Sequence, residues 1–235
     1  MTGLRERKKE RTRRAISEAA IALFLEHGFD RVSVADVAAA AEVSKPTLFS
    51  YFPTKEDLVV HRFADHQEQA AEVVRTRAPG EPALGALLRD FLAGLARRDP
   101  VTGLNDHPAV LAFTALVYGT PSLAARVGEY VARAEESLAE ALRAAPGTDG
   151  SPEAGGSIEA RGVPASAAAQ ELAAALLAAQ VTATQRVLAL HNWRRIRDGR
   201  TADEQYDEAV EDATAAFGLL THGYGPPAGE RTAAD

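Results

Sequence analysis

A short stretch of the chain combines a positive charge, two hydroxyl side chains and two aromatic rings on a helix whose surface there we predict to face outward or sideways. The residues of this face are Lys45, Thr47, Phe49, Ser50 and Tyr51. Val43, Leu48 and Phe52 are spaced so that they turn inward on the same helix. Lysine and hydroxyl groups bond phosphates and base edges, and aromatic rings can lie against thymine methyl groups. The pattern therefore favours contact with double-stranded DNA.

Three helix starts surround this face. Ser33 and Thr54 are each followed three residues later by an aspartate, the reciprocal arrangement that satisfies open amides at a helix start. Ser44 precedes Pro46, and proline is tolerated in the first turn of a helix. Three caps so close together predict a helix-turn-helix followed by a connecting helix. The alternative is a plain helical hairpin whose polar face is only solvated.

The segment upstream supports the DNA interpretation. Apolar residues recur at helical spacing from about Thr12 to His27, and Gly28 is placed to end that helix. A basic arm precedes it, with Glu6 and Glu10 as the only acidic residues and a net charge of +5. The basic residues of the arm are Arg5, Arg7, Lys8, Lys9, Arg11, Arg13 and Arg14. Such an arm suits phosphate neutralisation or minor-groove contact, or it is a frayed terminus without a partner.

Two segments, ALFLEHGF and SVADVAAAAEVSKPTLFSYFPTKEDL, resemble the DNA-binding domain of TetR-family transcriptional regulators over roughly residues 10 to 60. The resemblance implies that the recognition helix contacts DNA through Lys45, Pro46, Thr47, Phe49, Ser50 and Tyr51. It also implies that Ser33 and Val34, at the start of the preceding helix, and Lys55, at the head of the fourth helix, meet phosphates.

One residue departs from the family pattern. Glu42 stands in the turn where the family commonly has glycine. A left-handed conformation costs a residue with a Cβ on the order of 1 kcal/mol. Its negative charge would also weaken the approach of phosphates if it pointed toward the duplex.

Charge is divided unevenly along the 235 residues, whose formal net charge is −7. Residues 1–63 hold eleven Lys and Arg and nine Asp and Glu, a net charge of +2, and include all four lysines. The remainder holds fifteen basic and twenty-four acidic residues, a net charge of −9. An acidic surface repels duplex DNA, so we expect only one end of the molecule to approach it.

Several classes of protein are disfavoured. The chain has no cysteine, which excludes disulfides and thiolate metal sites. Its six histidines are spread out, and the metalloprotease, hydrolase, phosphate-loop and dinucleotide-binding motifs are absent. We therefore expect no enzyme, no catalytic residue, no metal and no cofactor. No apolar run approaches the roughly 18 residues needed to span a bilayer, so we expect a cytoplasmic protein without membrane contact.

The fold class predicted is all-α. We expect a basic arm plus helix-turn-helix domain of three helices at residues 1–55, then a helical ligand-binding and dimerisation domain of about six helices at 56–225. The fourth helix should run without interruption from Glu56 to about Arg77. Residues 146–164 are rich in glycine, proline and serine and should form a disordered loop, with a domain boundary as the alternative. Residues 226–235 should form a disordered tail.

The last two long helices carry apolar stripes: residues 165–196 have one on each of two sides, and residues 203–220 have a single stripe. In proteins that this chain resembles, these helices pair with their twins as a four-helix bundle, so we expect a homodimer. The residues proposed for the interface are Leu172, Leu176, Ala179, Ala183, Val187, Tyr206, Val210, Ala213 and Phe217. Burial within a single subunit is the alternative. A two-fold pair of recognition helices would read two half-sites one helical turn apart.

These features favour a homodimeric repressor that binds a near-palindromic operator and is released from it by a small-molecule inducer, which the resemblance implies. Candidate pocket residues are polar or aromatic side chains on otherwise apolar helices, each of which could equally be ordinary core or surface. They are Phe63, His66, Phe91, Phe113, Tyr118, Tyr130, Gln180 and Thr184. The alternative is a DNA-binding regulator without a small-molecule ligand, controlled by a protein partner or acting as an activator.

Overall fold

The computed structural model describes residues 2–144 and 166–222 of the chain. The chain divides into two compact units. The first comprises the residues up to 67 together with 107–133, and the second comprises 68–106 together with the residues from 134 onward. The loop expected at 146–164 and the tail expected at 226–235 lie outside the described residues.

Every regular element within the described ranges is helical, which confirms the predicted all-α fold class. The α-helices are α1 (Thr2–His27), α2 (Val34–Ala40), α3 (Lys45–Tyr51), α4 (Asp57–Val60), α5 (Gln69–Thr76), α6 (Ala83–Ala96), α7 (Pro108–Gly119), α8 (Pro121–Ala144), α9 (Ala167–Arg197) and α10 (Tyr206–His222). Two 3₁₀ segments, His61–His66 and Pro100–Thr102, lie between them.

Helix α1 includes the basic arm. It starts at Thr2 rather than near Thr12, where the apolar periodicity begins. Arginine, lysine and glutamate are all good helix formers, so the arm can continue the helix although it has no apolar face. Periodicity alone could not detect that continuation, because a helix turn that packs against nothing leaves no apolar pattern.

The predicted caps fix α2 and α3. The Ser33 hydroxyl accepts a bond from the Asp36 amide at 3.2 Å, and the Asp36 carboxylate accepts one from the Ser33 amide at 2.8 Å. The Ser44 hydroxyl accepts a bond from the Thr47 amide at 3.2 Å. Each bond satisfies an amide that has no partner within its own helix, so sequence-local chemistry sets where both helices begin.

A single apolar core holds the three N-terminal helices together. Its fully buried members include Ile16, Ala20 and Phe24 from α1, Val37 from α2, Leu48 from α3, Phe52 and Leu58. Leu48 and Phe52 therefore turn inward as predicted, and Val43 packs partly buried against the same cluster. A helix of seven residues is not stable alone, so α3 depends on this burial, which contributes about 1.5–3 kcal/mol for each large side chain.

The turn between α2 and α3 ends in a left-handed residue. Glu42 has φ 54°, and its amide donates to the carbonyl of Ala39 at 3.1 Å. The next amide, that of Val43, donates to the carbonyl of Ala38 at 3.0 Å. This pair of bonds closes α2 in the way that glycine usually does, so Glu42 bears the conformational cost expected from the sequence.

The expectation of one continuous fourth helix is wrong. Helix α4 ends at Val60, the 3₁₀ segment His61–His66 follows, and α5 begins only at Gln69. All four residues of α4 are buried, whereas an amphipathic surface helix would bury only one face. The break was not visible in the sequence because a 3₁₀ helix has 3.0 residues per turn. Over a few residues this spacing of apolar side chains resembles the 3.6 residues per turn of an α-helix.

A buried carboxylate joins α4 to α8. Asp57 is 4% exposed, and its carboxylate accepts bonds from the Arg126 Nε at 2.9 Å and from the Thr54 hydroxyl at 2.8 Å. Burial opposes ionisation of Asp57, but the bonds from Arg126 and Thr54 outweigh it and hold the pKa of this carboxyl below its ordinary value. Beside it, the Ser17 hydroxyl donates to the Leu58 carbonyl at 2.8 Å, which ties α1 to α4.

In the second unit, α6 packs against α10, where the rings of Phe91 and Phe217 lie 6.3 Å apart. The buried Asn192 amide of α9 donates to the Thr102 carbonyl at 2.9 Å. Gly103 follows with φ 72°, and a Cβ built there would lie 1.9 Å from a backbone carbonyl oxygen of α9. Only glycine therefore allows this close approach.

Helix α9 leaves large apolar side chains uncovered. Leu172, Leu176 and Val187 are 61%, 54% and 58% exposed. By length and composition alone this 31-residue helix could cross a bilayer, which corrects the expectation that no segment would reach that length. Alanines between the larger residues account for the difference, since they add apolar character without forming an obvious run.

We predict that Asp57→Asn will lower the free energy of unfolding at pH 7 by about 1–3 kcal/mol, because Arg126 loses a charged acceptor. A depressed folded-state pKa stabilises the fold above the unfolded-state value, near pH 4, and this contribution disappears as the pH falls through the folded-state value. The gap between wild type and variant should therefore narrow below about pH 4. Urea denaturation across this range checks it, with the exposed Asp30→Asn as control; a constant gap would contradict it.

We predict that Glu42→Gly will raise the free energy of unfolding by up to about 1 kcal/mol, because glycine adopts positive φ without a steric penalty. Chemical denaturation at pH 7 measures the change. Glu42→Gln is the matched control, since it removes the same charge but keeps the Cβ. Equal stabilisation by both variants would mean that charge rather than backbone conformation sets the cost.

Candidate nucleic-acid interface

Helix α3 presents most of its surface outward. Leu48 is its buried residue, and Tyr51 is half-buried. The exposed residues are Lys45, Pro46, Thr47, Phe49 and Ser50. A seven-residue helix anchored by one leucine therefore carries an ammonium group, hydroxyls and a ring on the side away from the core. The structure thus brings the six predicted residues of the recognition helix onto one short element.

The hydroxyl groups on α3 are held in place by local bonds. The Ser44 and Thr47 hydroxyl oxygens lie 2.7 Å apart, and the Ser50 hydroxyl donates to the Thr47 carbonyl at 2.6 Å. Because a hydroxyl oxygen has two lone pairs, Ser50 remains able to accept from a base amino group. Thr47 keeps its methyl group for apolar contact. Orientation of these groups before binding reduces the entropy lost when they meet a partner.

Phe49 is the apolar part of this face. Its side chain is 47% exposed, although a phenylalanine would ordinarily be buried. A ring on the outer face of a short helix can lie against the methyl group of thymine, which marks one edge of an A·T pair in the major groove. Lys45 supplies the positive charge at the N-terminal end of the same helix.

Ser33 and Val34 occupy the start of α2. The Ser33 hydroxyl donates to the Asp36 carboxylate at 2.7 Å, and this bond together with the one from the Ser33 amide lowers the pKa of Asp36. Ser33 would have to release Asp36 before its hydroxyl could donate to a phosphate. Val34 lies in the first turn, whose amides have no intrahelical acceptor, so its backbone is the better placed donor.

Lys55 is engaged within the fold. Its Nζ donates to the carbonyl of Phe29 at 2.5 Å and lies 4.3 Å from the centre of the Phe29 ring and 5.4 Å from that of Phe24. A phosphate contact by Lys55 would compete with that carbonyl. Sequence inspection could not anticipate this, because the partners are more than twenty-five positions away and no local pattern joins them.

The basic residues of α1 divide into two groups. Arg13 turns toward the core, with its guanidinium 5.5 Å from the centre of the Phe52 ring. The others whose side chains are described, Arg7, Lys8, Lys9, Arg11 and Arg14, are exposed. Positive charge therefore extends along α1 from Arg13, which contacts Phe52, the residue that follows α3, toward the N-terminus.

Arg126 is a structural partner that sequence reasoning missed. It lies about seventy positions from Asp57, whose pairing with Thr54 was expected from the local spacing. Nothing in the local sequence of α8 distinguishes this arginine from its neighbours. Across the described ranges, no group of three or more histidine, aspartate or glutamate side chains is arranged to hold a metal ion.

The eight candidate pocket residues fall in both units. Five belong to the first unit: Phe63, His66, Phe113, Tyr118 and Tyr130. Three belong to the second: Phe91, Gln180 and Thr184. The rings of Phe63 and Phe113 stack at 6.3 Å, Phe91 packs on Phe217, and Tyr130 is buried. His66, Tyr118 and Gln180 are exposed, and Thr184 is half-buried.

The nine candidate interface residues also differ in exposure. On α9, Leu172, Leu176, Ala183 and Val187 are exposed and Ala179 is half-buried. On α10, Tyr206 and Val210 are half-buried. Ala213 and Phe217 are buried inside their own unit, at 0% and 2% exposure, so their contacts are with α6 and the neighbouring helices of the same chain. Among these nine candidates, the exposed large apolar side chains therefore belong to α9.

Comparison with known proteins agrees with this geometry. Residues 16–61, which hold the whole helix-turn-helix, match the family model described as bacterial regulatory proteins, tetR family. Over 151 residues the chain is 35% identical to the HTH-type transcriptional regulator TcmR of Streptomyces glaucescens, covering 63% of this chain and 66% of that protein. It is 31% identical over 139 residues to the HTH-type transcriptional repressor LfrR of Mycolicibacterium smegmatis, covering 58% and 66%. The match thus spans just under two thirds of each relative.

A solved structure has a similar fold over a longer stretch. NalD of Pseudomonas aeruginosa, the secondary repressor of the MexAB-OprM multidrug efflux pump, superposes with a TM-score of 0.52 at 19% identity, covering 88% of this chain and 97% of NalD. Likeness at this identity concerns the fold alone. Together with the capped helix-turn-helix and the sequence match over it, the comparisons show that the chain belongs to the tetR family of bacterial regulatory proteins.

Proposed function

We propose that this protein is a sequence-specific DNA-binding transcriptional repressor that acts as a homodimer in the cytoplasm. The observation that carries the proposal is the outer face of α3, where Lys45, Thr47, Phe49 and Ser50 are exposed on a helix fixed by buried Leu48. The major groove, about 12 Å wide, admits an α-helix of this kind. Family membership supports the assignment of α3 as the recognition helix.

Contacts divide into two kinds in this proposal. Lys45 and the start of α2 hold the phosphate backbone and set the register. Thr47, Phe49 and Tyr51 face the base edges. The threonine hydroxyl can bond a base edge, and the threonine methyl group and the two rings can contact the thymine methyl group of an A·T pair. Repression rather than activation is favoured because the relative LfrR is described as a transcriptional repressor. A repressor needs only to occupy its operator, whereas an activator needs a further surface for its partner.

We predict that the protein will bind one or a few duplexes tightly when short duplexes tiled across the DNA around its own gene are titrated by fluorescence anisotropy. Lys45→Ala should weaken binding to every duplex and reduce the slope of log affinity against log salt by about 0.9, the value for one phosphate contact. Thr47→Ala should instead change the ranking of operator variants. Failure of the wild type to prefer any duplex in dilute salt would refute the proposal.

Lys55→Ala is the matched comparison for Lys45→Ala, since it removes the same charge from the same unit. Because the Nζ of Lys55 is bonded to the Phe29 carbonyl, Lys55→Ala should lower the thermal midpoint of unfolding. It should reduce the salt slope less than Lys45→Ala does. A slope reduced as much as in Lys45→Ala would mean that Lys55 leaves Phe29 to meet a phosphate.

Dimerisation through α9 forms part of the proposal. Leu172, Leu176 and Val187 are more than half exposed, and Ala183 between them lets a second helix approach closely. Exposed apolar residues along one helix face favour a twin helix as the partner, because a two-fold pair buries the same stripe on both subunits. A dimer would also place two recognition helices on two half-sites.

We predict that Leu176→Glu combined with Val187→Glu will yield monomers, because a dimer would have to bury four unpaired carboxylates. Sedimentation velocity at micromolar concentration measures the mass. Val101→Glu, at a 46% exposed apolar residue outside α9, is the control and should remain dimeric. An intact dimer in the double variant would place the interface elsewhere.

Release by a small molecule is the regulatory part of the proposal. A ligand lowers operator affinity only if it binds better to a conformation whose recognition helices are badly spaced for DNA. Stacked Phe63 and Phe113 and buried Tyr130 are the aromatic candidates for contacting it. Screening aromatic compounds for loss of operator binding by the purified protein tests this; loss that required a second protein would favour regulation by a protein partner.

A further inference from the structure

The first half of α1 is a basic helix rather than a flexible arm. Residues 2–14 form about three and a half turns ahead of Ile16, the first residue of α1 in the apolar core. We call residues 2–14 the basic extension. Their helical conformation fixes which of the positive side chains share a face, which an unstructured arm would leave open.

Three arginines of the basic extension lie on one line. With 3.6 residues per turn, Arg11 and Arg14 stand within about 40° of Arg7 around the helix axis, whereas Lys9 stands about 160° away from Arg7. Arg7, Arg11 and Arg14 are all exposed. We call these three residues the arginine stripe.

The arginines of the stripe make no close ion pair within the described part of the fold, and Glu10 and Glu18 are the acidic residues one helical turn from them on α1. Among the ion pairs between described residues, arginines elsewhere, such as Arg89 and Arg126, lie within 2.9 Å of a carboxylate oxygen, whereas none of these ion pairs involves the stripe. Like charges three and four residues apart on a helix repel one another weakly, and their combined positive potential attracts an anionic surface.

The basic extension starts beside the recognition helix. Arg13, at the base of the extension, lies with its guanidinium 5.5 Å from the ring of Phe52, the residue that directly follows α3. A DNA duplex engaged by α3 therefore passes close to the point from which the extension projects. The extension reaches about 17 Å from there, at 1.5 Å per residue.

Groove dimensions decide how such a helix can meet DNA. An α-helix with side chains is about 10–12 Å across, and the minor groove is about 6 Å wide, so the extension cannot enter it. The major groove at the half-site is occupied by α3 in the proposed complex. The phosphate backbone is the surface that remains, and arginine binds phosphates in a forked geometry.

We propose that the arginine stripe binds the phosphate backbone flanking the half-site read by α3, an inference that rests on the proposed function. From Arg7 to Arg14 the stripe spans about 10 Å, which corresponds to about three phosphates of one strand measured along the duplex axis. The contact contributes affinity without base preference, and it lengthens the protected site on the side of the extension.

The test is a triple variant, Arg7→Gln with Arg11→Gln and Arg14→Gln, because glutamine removes charge but preserves helix propensity. The salt slope of duplex binding should fall by about 2.7, three contacts at 0.9 each. Raising salt from 50 to 200 mM would then cost the variant about 40-fold less affinity than the wild type. Circular dichroism checks that helix content is unchanged.

Two controls isolate the stripe. The first control is a triple variant of exposed arginines in the second unit, Arg89→Gln with Arg97→Gln and Arg143→Gln, which removes the same charge. It should leave the salt slope of duplex binding unchanged. Within the extension, Arg11→Gln should reduce the slope by about 0.9, and Lys9→Gln, on the opposite side, should not.

Opposite results overturn the inference. An unchanged slope in the triple variant, or equal effects of Arg11→Gln and Lys9→Gln, would show that the stripe touches no phosphate. Loss of the effect when netropsin fills the flanking minor groove would place the arginine side chains of the stripe in that groove instead of on the phosphates. If the wild type bound no duplex, the proposed function itself would fail, a result distinct from either of these.

Discussion

The position of α3 depends on the burial of Leu48 and Phe52 against α1, α2 and α4. A helix of seven residues does not persist in water by its own hydrogen bonds, so both its existence and its direction come from this contact. The proposed DNA contacts depend on this burial. The exposed side chains of α3 keep a fixed orientation only while Leu48 remains buried in the core. The core therefore fixes α3 from one side and leaves the other side free.

A second constraint lies behind the first. Asp57, the first residue of α4, exchanges hydrogen bonds with Thr54 just ahead of the helix and at the same time binds Arg126 of α8. Removing the carboxylate from water is unfavourable, and the arrangement is stable only while Thr54 and Arg126 both donate to it. The beginning of α4 thus has one low-energy geometry rather than several. Since Ser17 bonds the Leu58 carbonyl next to it, α1 is held by the same few atoms.

Local features of this structure were predictable from the sequence and distant ones were not. The caps at Ser33 and Ser44 and the reciprocal bonds between Thr54 and Asp57 join residues three apart, so spacing alone revealed them. The cost at Glu42 was expected because the family that the sequence resembles commonly has glycine in this turn. The break after Val60 was missed because 3₁₀ and α spacing look alike over a few residues. Pairing of Lys55 with Phe29 depends on the packed tertiary structure, which no short window of sequence records.

The distribution of lysines bears on how the molecule can be handled. All four lie within residues 1–63, and Lys8, Lys9 and Lys45 are exposed there, while Lys55 is partly shielded by two rings. Coupling chemistry directed at amines, whether for dyes, biotin or sensor surfaces, would therefore modify the side proposed to meet the duplex and mask it. Because the chain has no cysteine, one thiol introduced into the acidic second unit would give a single attachment point that leaves that side uncovered.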